Sequence, residues 1–268
     1  MSTAQRAKME PEAQYTAILE HTVRAYTTAE QAAAAVADCL VSRDARCRAA
    51  VQQYEQELDR LDREIDGSVS SAIAEVTPDQ ARELLSAMKM VIDLERIGDL
   101  LASVADCAGA LDGRLRPDDV NDLVKMATLL EKMLGDAHGA SIVRNVDRAI
   151  AVLRADADMD RYRNILLLRH LELAQSHGTA DTVHVLFMAQ ALERAGDHVK
   201  NLAEEVCHLA TGHTVRHVLR GAADKPYEQM YLQQLRFRHG ISSVAAGAHP
   251  AAAAPQPAKT GLGGDPAK

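Results

Sequence analysis

Apolar residues recur through most of the chain at alternating steps of three and four. One run is Val51, Tyr54, Leu58, Leu61, Ile65 and Ala72. A second is Ala87, Met90, Leu94, Ile97, Leu101, Val104 and Ala108, and a third is Val185, Met188, Leu192, Ala195, Val199, Leu202 and Val206. This spacing gathers apolar side chains into one stripe of an α-helix. The breakers between Pro11 and Gly212 are few: Gly67, Pro78, Gly113 with Pro117, Gly135 with Gly139, Gly178 and Gly212. Most fall where a helix would end, and the intervals predict about six helices. The third helix has a defined start, with Thr77 as N-cap, Pro78 at the first helical position and Asp79 in the first turn. The sixth opens at "HGTADT", where Thr179 or Asp181 can cap. Three long helices followed by three more with the same ending predict an all-α fold of two tandem three-helix bundles, made by internal duplication. The expected organisation is a flexible segment at 1–10, a first unit at 11–113 and a second at 117–217. An extension with a short helix follows at 218–242, then a disordered Ala/Pro/Gly tail at 243–268.

A chain of 268 residues accommodates two such units. The absence of Trp and the presence of only two Phe favour packed helices over a β-sandwich. A net charge of −8 argues against a nucleic-acid partner, which a basic face would have to recognise, and it suits cations. Cys39, Cys47, Cys107 and Cys207 form no C-x-x-C pair and read as small core residues of a reduced, cytoplasmic protein. The first residues, "MSTAQRAKMEPEAQYTAILE", hold no apolar signal region, and no window approaches the ~18 apolar residues of a membrane span. The expectation is a soluble protein without membrane insertion.

The chemistry sits in a repeated motif. "IDLERIGDLL" at 92–101 returns as "QALERAGDHV" at 190–199. Within it, Glu95 and Asp99 stand one helical turn apart, as do Glu193 and Asp197, each pair off the apolar seam. The preceding helices carry matching pairs, Glu55 with Asp59 and Asp156 with Asp160. Each half therefore has two [DE]-x-x-x-D pairs on helices that can lie side by side. Carboxylates so placed repel one another unless solvated or bridged by cations, and Mg, Mn, Fe or Zn accept such oxygen ligands. The plainer reading is that these acids are solvated outer-face residues, with Arg96 and Arg194 as partners. Asp62/Asp66 and Asp118/Asp122 share the spacing and read as background. Gly98 and Gly196 each cost a helix about 1 kcal/mol relative to Ala, and so mark a close helix approach or a crowded site. Glu205 and His208 form a single E-x-x-H, whereas a ferritin-like di-iron centre needs two, so that reading is rejected. No G-x-S-x-G, P-loop or G-x-G-x-x-G occurs, and nothing points to catalysis. Leu84, Met88 and Ile92 form a further apolar stripe, which supports a dimer or completes the core.

These two stretches resemble the signature helices of the PhoU family of bacterial phosphate-uptake and phosphate-signalling regulators. The second copy is the closer match, through L-E-R-x-G-D-H, Asn201, Ala203–Glu205 and Thr211–Gly212. The resemblance implies tandem three-helix bundles that bind metal ions or multinuclear clusters. Carried over, the ligands are Glu55, Asp59, Glu95 and Asp99 in one unit and Asp156, Asp160, Glu193 and Asp197 in the other. It also implies a non-enzymatic, cytoplasmic adaptor between a phosphate ABC transporter and a sensor histidine kinase, restraining uptake and starvation-gene expression when phosphate is plentiful. A homodimer is the expected assembly. The alternatives are an adaptor for another transporter and a metal-dependent hydrolase of phosphate compounds. The first copy departs from the family at Ser103 and Cys107, where the second has Asn201 and Glu205, so the second metal site is expected to be the more complete.

Overall fold

The computed structural model describes residues 10–42, 45–111, 114–177 and 180–212. The six helices are α1 (Pro11–Ser42), α2 (Ala45–Ala72), α3 (Pro78–Leu111), α4 (Pro117–Val143), α5 (Val146–His177) and α6 (Ala180–Thr211), with no strand among the described residues. The expected N-terminal segment up to residue 9, the extension at 218–242, the tail, Gly113, Gly178 and Thr179 lie outside them.

The three seams read from the sequence are the inner faces of α2, α3 and α6. Leu58, Leu61, Ile65, Leu94, Ile97, Leu101, Leu192, Ala195, Val199 and Leu202 are all buried. Each apolar side chain of this size that leaves water contributes about 1.5–3 kcal/mol, which is why the seams, not the polar faces, meet. α1, α2 and α3 pack into one bundle, and α4, α5 and α6 into a second. The bundles join through like helices, α1 against α4 and α3 against α6.

The start of α3 is a reciprocal cap. Gln80 donates its backbone N–H to Thr77 Oγ1 (3.3 Å), and the Thr77 N–H returns a bond to Gln80 Oε1 (3.0 Å). α4 differs from expectation, for Gly135 and Gly139 lie inside it. It runs on to Val143 and ends where Arg144 takes a left-handed φ of 51° and gives its N–H to Ala140 O. Gly139 serves packing instead of termination: a Cβ there would sit 2.0 Å from the Arg148 guanidinium, which bonds Asp136 at 3.2 Å. Burial corrects one further expectation and decides another. Cys47 and Cys107 are only half-buried, although Cys39 and Cys207 are core residues, and none of the four is joined in a disulfide. Leu84 is fully buried and completes the core, while Ile92 is exposed.

The α3–α6 junction is antiparallel and polar on one side. His198 Nδ1 lies 2.7 Å from Asp93 Oδ1, and Asn201 donates to the same oxygen at 3.1 Å. Farther along, Ser86 donates to Glu205 at 2.5 Å, and Lys89 reaches that carboxylate at 3.3 Å. Asn201 and Glu205 therefore tie the two halves together. Where the second copy has Asn201 and Glu205 the first has Ser103 and Cys107, and Ser103 donates its hydroxyl to the Asp99 carbonyl at 3.0 Å.

Candidate functional site

In the first half, α2 and α3 bring together Glu55, Asp59, Glu95 and Asp99. The closeness of the two helices is set by Gly98. A Cβ at that position would stand 2.7 Å from Leu58 Cδ1 and 3.7 Å from the Glu55 Cα. Burial, then the charges of Asp59 and Asp99, push the Glu55 carboxyl above its ordinary pKa. Glu95 is raised by burial and by Asp99, with Asp62 and Asp59 adding to the effect. Asp62, set aside above as background, belongs to this cluster: burial, Asp66 and Asp59 raise its carboxyl too. The cations lie on the rim. Arg63 holds Asp59 at 2.7 Å, and exposed Arg96 stands 3.5 Å from Glu95 and 3.7 Å from Asp99.

The second half repeats the frame with different charges. Asp156, Asp160, Glu193 and Asp197 again line adjacent helices, and Gly196 again faces the neighbouring helix, here Met159 at 3.4 Å. Lys200 reaches between them, 2.7 Å from Asp156 and 3.0 Å from Asp197. Its pKa is depressed by burial but raised overall by those two bonds. Arg163 lies 3.6 Å from Asp160 and 3.9 Å from Glu193, and Gln190 donates to Glu193 at 2.5 Å. Burial and the surrounding carboxylates still raise Glu193, and burial raises Asp156 against the pull of Lys200. In the register that aligns the two copies, Arg163 stands where the first half has Asp62, and Lys200 stands where it has Ala102.

Both seams suit a hard cation by charge and donor type, since like charges held close are relieved by a metal as well as by a proton. The first fits better because no side-chain cation lies within it. Among the described residues no three His, Cys, Asp or Glu converge as a ready-made cage, so a bound ion has to draw carboxylates together by rotamer change.

Sequence reasoning also missed the buried charges of the second half. Asp119, Asp122 and His170 are buried. Arg169 bonds Asp119 at 2.9 Å and Asp122 at 2.5 Å, and His170 Nε2 stands 3.1 Å from Asp119. On local spacing alone Asp122, like Asp62, reads as background. The available signal was phase, because Asp119 and Asp122 occupy the buried stripe that continues as Met126 and Leu130.

The PhoU domain model matches residues 22–108 and again 123–206, so each match contains one acidic seam. The chain belongs to the PhoU family. Among its relatives, the phosphate-specific transport system accessory protein PhoU homolog of Caulobacter vibrioides is 32% identical over 72% of this chain and 93% of its own. That of Clostridium acetobutylicum is 30% identical over 59% of this chain and 74% of its own. Two crystal structures share the fold. PhoU from Pseudomonas aeruginosa has a TM-score of 0.71 at 24% identity, over 76% of this chain and 100% of that one. The phosphate transport system regulatory protein PhoU from Streptococcus pneumoniae has a TM-score of 0.70 at 21% identity, over 77% and 99%. No helix among the described residues is long and apolar enough to cross a membrane.

Proposed function

We propose that this PhoU-family protein is a cytoplasmic, non-catalytic regulator of phosphate uptake and phosphate-starvation signalling. It acts as an adaptor between a phosphate ABC transporter and a sensor histidine kinase, and lowers both outputs when phosphate is plentiful. Homodimerisation belongs to the same proposal. The observation that carries it is the pair of outward acidic seams, each framed by an L-E-R-x-G-D helix and each holding glutamates whose carboxyls are pushed up by burial and by their neighbours. The relatives' names as transport accessory proteins supply the system.

In this reading a divalent cation, Mg, Mn, Fe or Zn, binds Glu55, Asp59, Glu95 and Asp99, and more weakly Asp156, Asp160, Glu193 and Asp197. The ion screens repulsion and fixes the α2–α3 and α5–α6 faces as docking surfaces. The test is a deletion strain carrying a phosphate-starvation reporter, complemented with wild type, Glu95→Ala/Asp99→Ala or Glu193→Ala/Asp197→Ala. Full repression from wild type and derepression with the first double variant is the expected result. Equal repression by all three would remove the seams from the mechanism, and intact phosphate control in the deletion strain would remove the regulator itself.

A further inference from the structure

Beside the second acidic seam the surface of α5–α6 turns apolar. Leu168 and Leu171 of α5 are 61% and 53% exposed, and Val183 and Phe187 of α6 are 67% and 52% exposed. The two helices run antiparallel, with His170 opposite Thr182 (3.2 Å) and Arg163 opposite Glu193 (3.9 Å). That register brings Leu171 level with Val183 and Leu168 level with Phe187. Half-buried Leu167 and Leu186 fill the strip between. The first half shows that the fold does not require this patch. At the aligned positions it carries Asp66, Gly67, Ser70, Leu85, Met88 and Lys89, so only two of the six are apolar there. A cluster of exposed leucines and a phenylalanine, absent from the sister unit, marks a surface built to be covered.

The surface continues into charge. Along the same helices Asp160 stands eight residues from Leu168 and Asp197 ten from Phe187, hence roughly 12–15 Å from the near edge of the patch. An occupant needs apolar side chains followed, about that far on, by basic ones. The chain itself carries such a segment. In "YEQMYLQQLRFRH", Tyr227, Tyr231 and Leu235 recur at every fourth residue with Met230 beside Tyr231, and Arg236, Arg238 and His239 follow. Length permits the contact. Between Gly212 and Val183 the helix spans about 44 Å, and the 14 residues from His213 to Pro226 reach up to ~50 Å when extended.

We infer that residues 227–239 bind the α5–α6 face of the same molecule, their apolar residues over Leu168, Leu171, Val183 and Phe187 and their basic residues over Asp160 and Asp197. The segment then competes with any partner for this face. This inference holds whether or not the seams take metal.

Hydrogen exchange followed by mass spectrometry on the full chain tests it, comparing wild type with Tyr231→Glu/Leu235→Glu and with Arg236→Glu/Arg238→Glu. The expected result is exchange roughly ten-fold faster at 164–172 and 182–190 in the first variant, a smaller rise in the second, and no change in α1–α3. Adding Leu168→Glu/Phe187→Glu to wild type should reproduce the first variant, and these exposed positions leave the core intact. Equal exchange in wild type and both tail variants would overturn the inference. Protection that grows with protein concentration, together with a dimer in light scattering, would assign the face to a second copy and also overturn it.

Discussion

The two halves share a backbone plan but solve its electrostatic problem differently. The α2–α3 seam keeps five carboxylates, Glu55, Asp59, Asp62, Glu95 and Asp99, with arginines only at its edge. The α5–α6 seam places Lys200 between two of its acids and Arg163 beside two others. Buried ionisable side chains follow the same division. Asp119, Asp122 and His170 all belong to the second half, whereas the buried polar residues of the first are Thr22, Thr28 and Ser86. The duplication thus keeps the acidic frame in both copies and sets two cations among the four acids of one. One seam is left with its arginines only at the rim, and the other has a lysine set between two of its acids.

Breaking the buried cluster should have the largest effect. Arg169→Ala leaves Asp119 and Asp122 buried without their main partner, and a loss of about 3–5 kcal/mol is expected. Urea unfolding should show it, and Arg63→Ala on the exposed rim of the first seam should cost less than about 1 kcal/mol. A ratio near unity between the two would refute the contrast in burial.

The glycines come next. Gly98→Ala forces Leu58 aside from a 2.7 Å approach, and a destabilisation of about 1–2 kcal/mol is expected. Gly196→Ala meets nothing closer than 3.4 Å and should stabilise by up to ~1 kcal/mol through helix propensity. Thermal melts of the two variants should therefore shift in opposite directions.

Exchanging the internal cation sharpens the comparison further. Lys200→Ala should strengthen Mn binding to the second seam by up to about ten-fold, and Ala102→Lys should weaken it in the first by a similar factor. Calorimetric titration reads both. Unchanged affinity in Ala102→Lys would mean that the first seam does not hold the ion.

The smallest effect is in pH dependence. Glu95 and Glu193 have folded pKa values raised above the unfolded ones, so the fold binds more protons between those two values. Stability from these groups is present at low pH and falls as pH rises through the folded pKa. Glu95→Gln should therefore stabilise the protein at pH 7, by less than about 1 kcal/mol, with the gain vanishing below about pH 4. Glu83 runs the other way: Tyr15 and Arg144 hold its carboxyl low despite burial, so its contribution is lost on acidification. A melting-temperature series against pH on wild type and Glu95→Gln separates the two.

The fold was legible because the signals for it are local. A 3,4 apolar seam requires only helical geometry and a need to leave water, so the stripes through Leu58, Leu94 and Leu192 could be read without knowing their neighbours. The eight paired carboxylates were legible for a similar reason, through repetition of a turn-spaced motif. Gly135 and Gly139 misled because a helix stop and a packing space look alike until Arg148 is seen to fill the second.

What only the tertiary structure decided concerns which residues of different helices meet. Asp62 and Asp122 have the same local spacing as their neighbours, yet one joins a surface cluster and the other is buried against Arg169. Asn201 and Glu205, part of the second copy's family resemblance, face α3 and not the acidic seam. Lys200 looks like any surface lysine until its two aspartates are placed beside it. The sequence by itself determined the helices, the duplication and the acidic frame, because burial and helical periodicity act along the chain. The charge balance of each seam was decided by packing, because Coulomb interactions depend on distances between helices that no local pattern specifies.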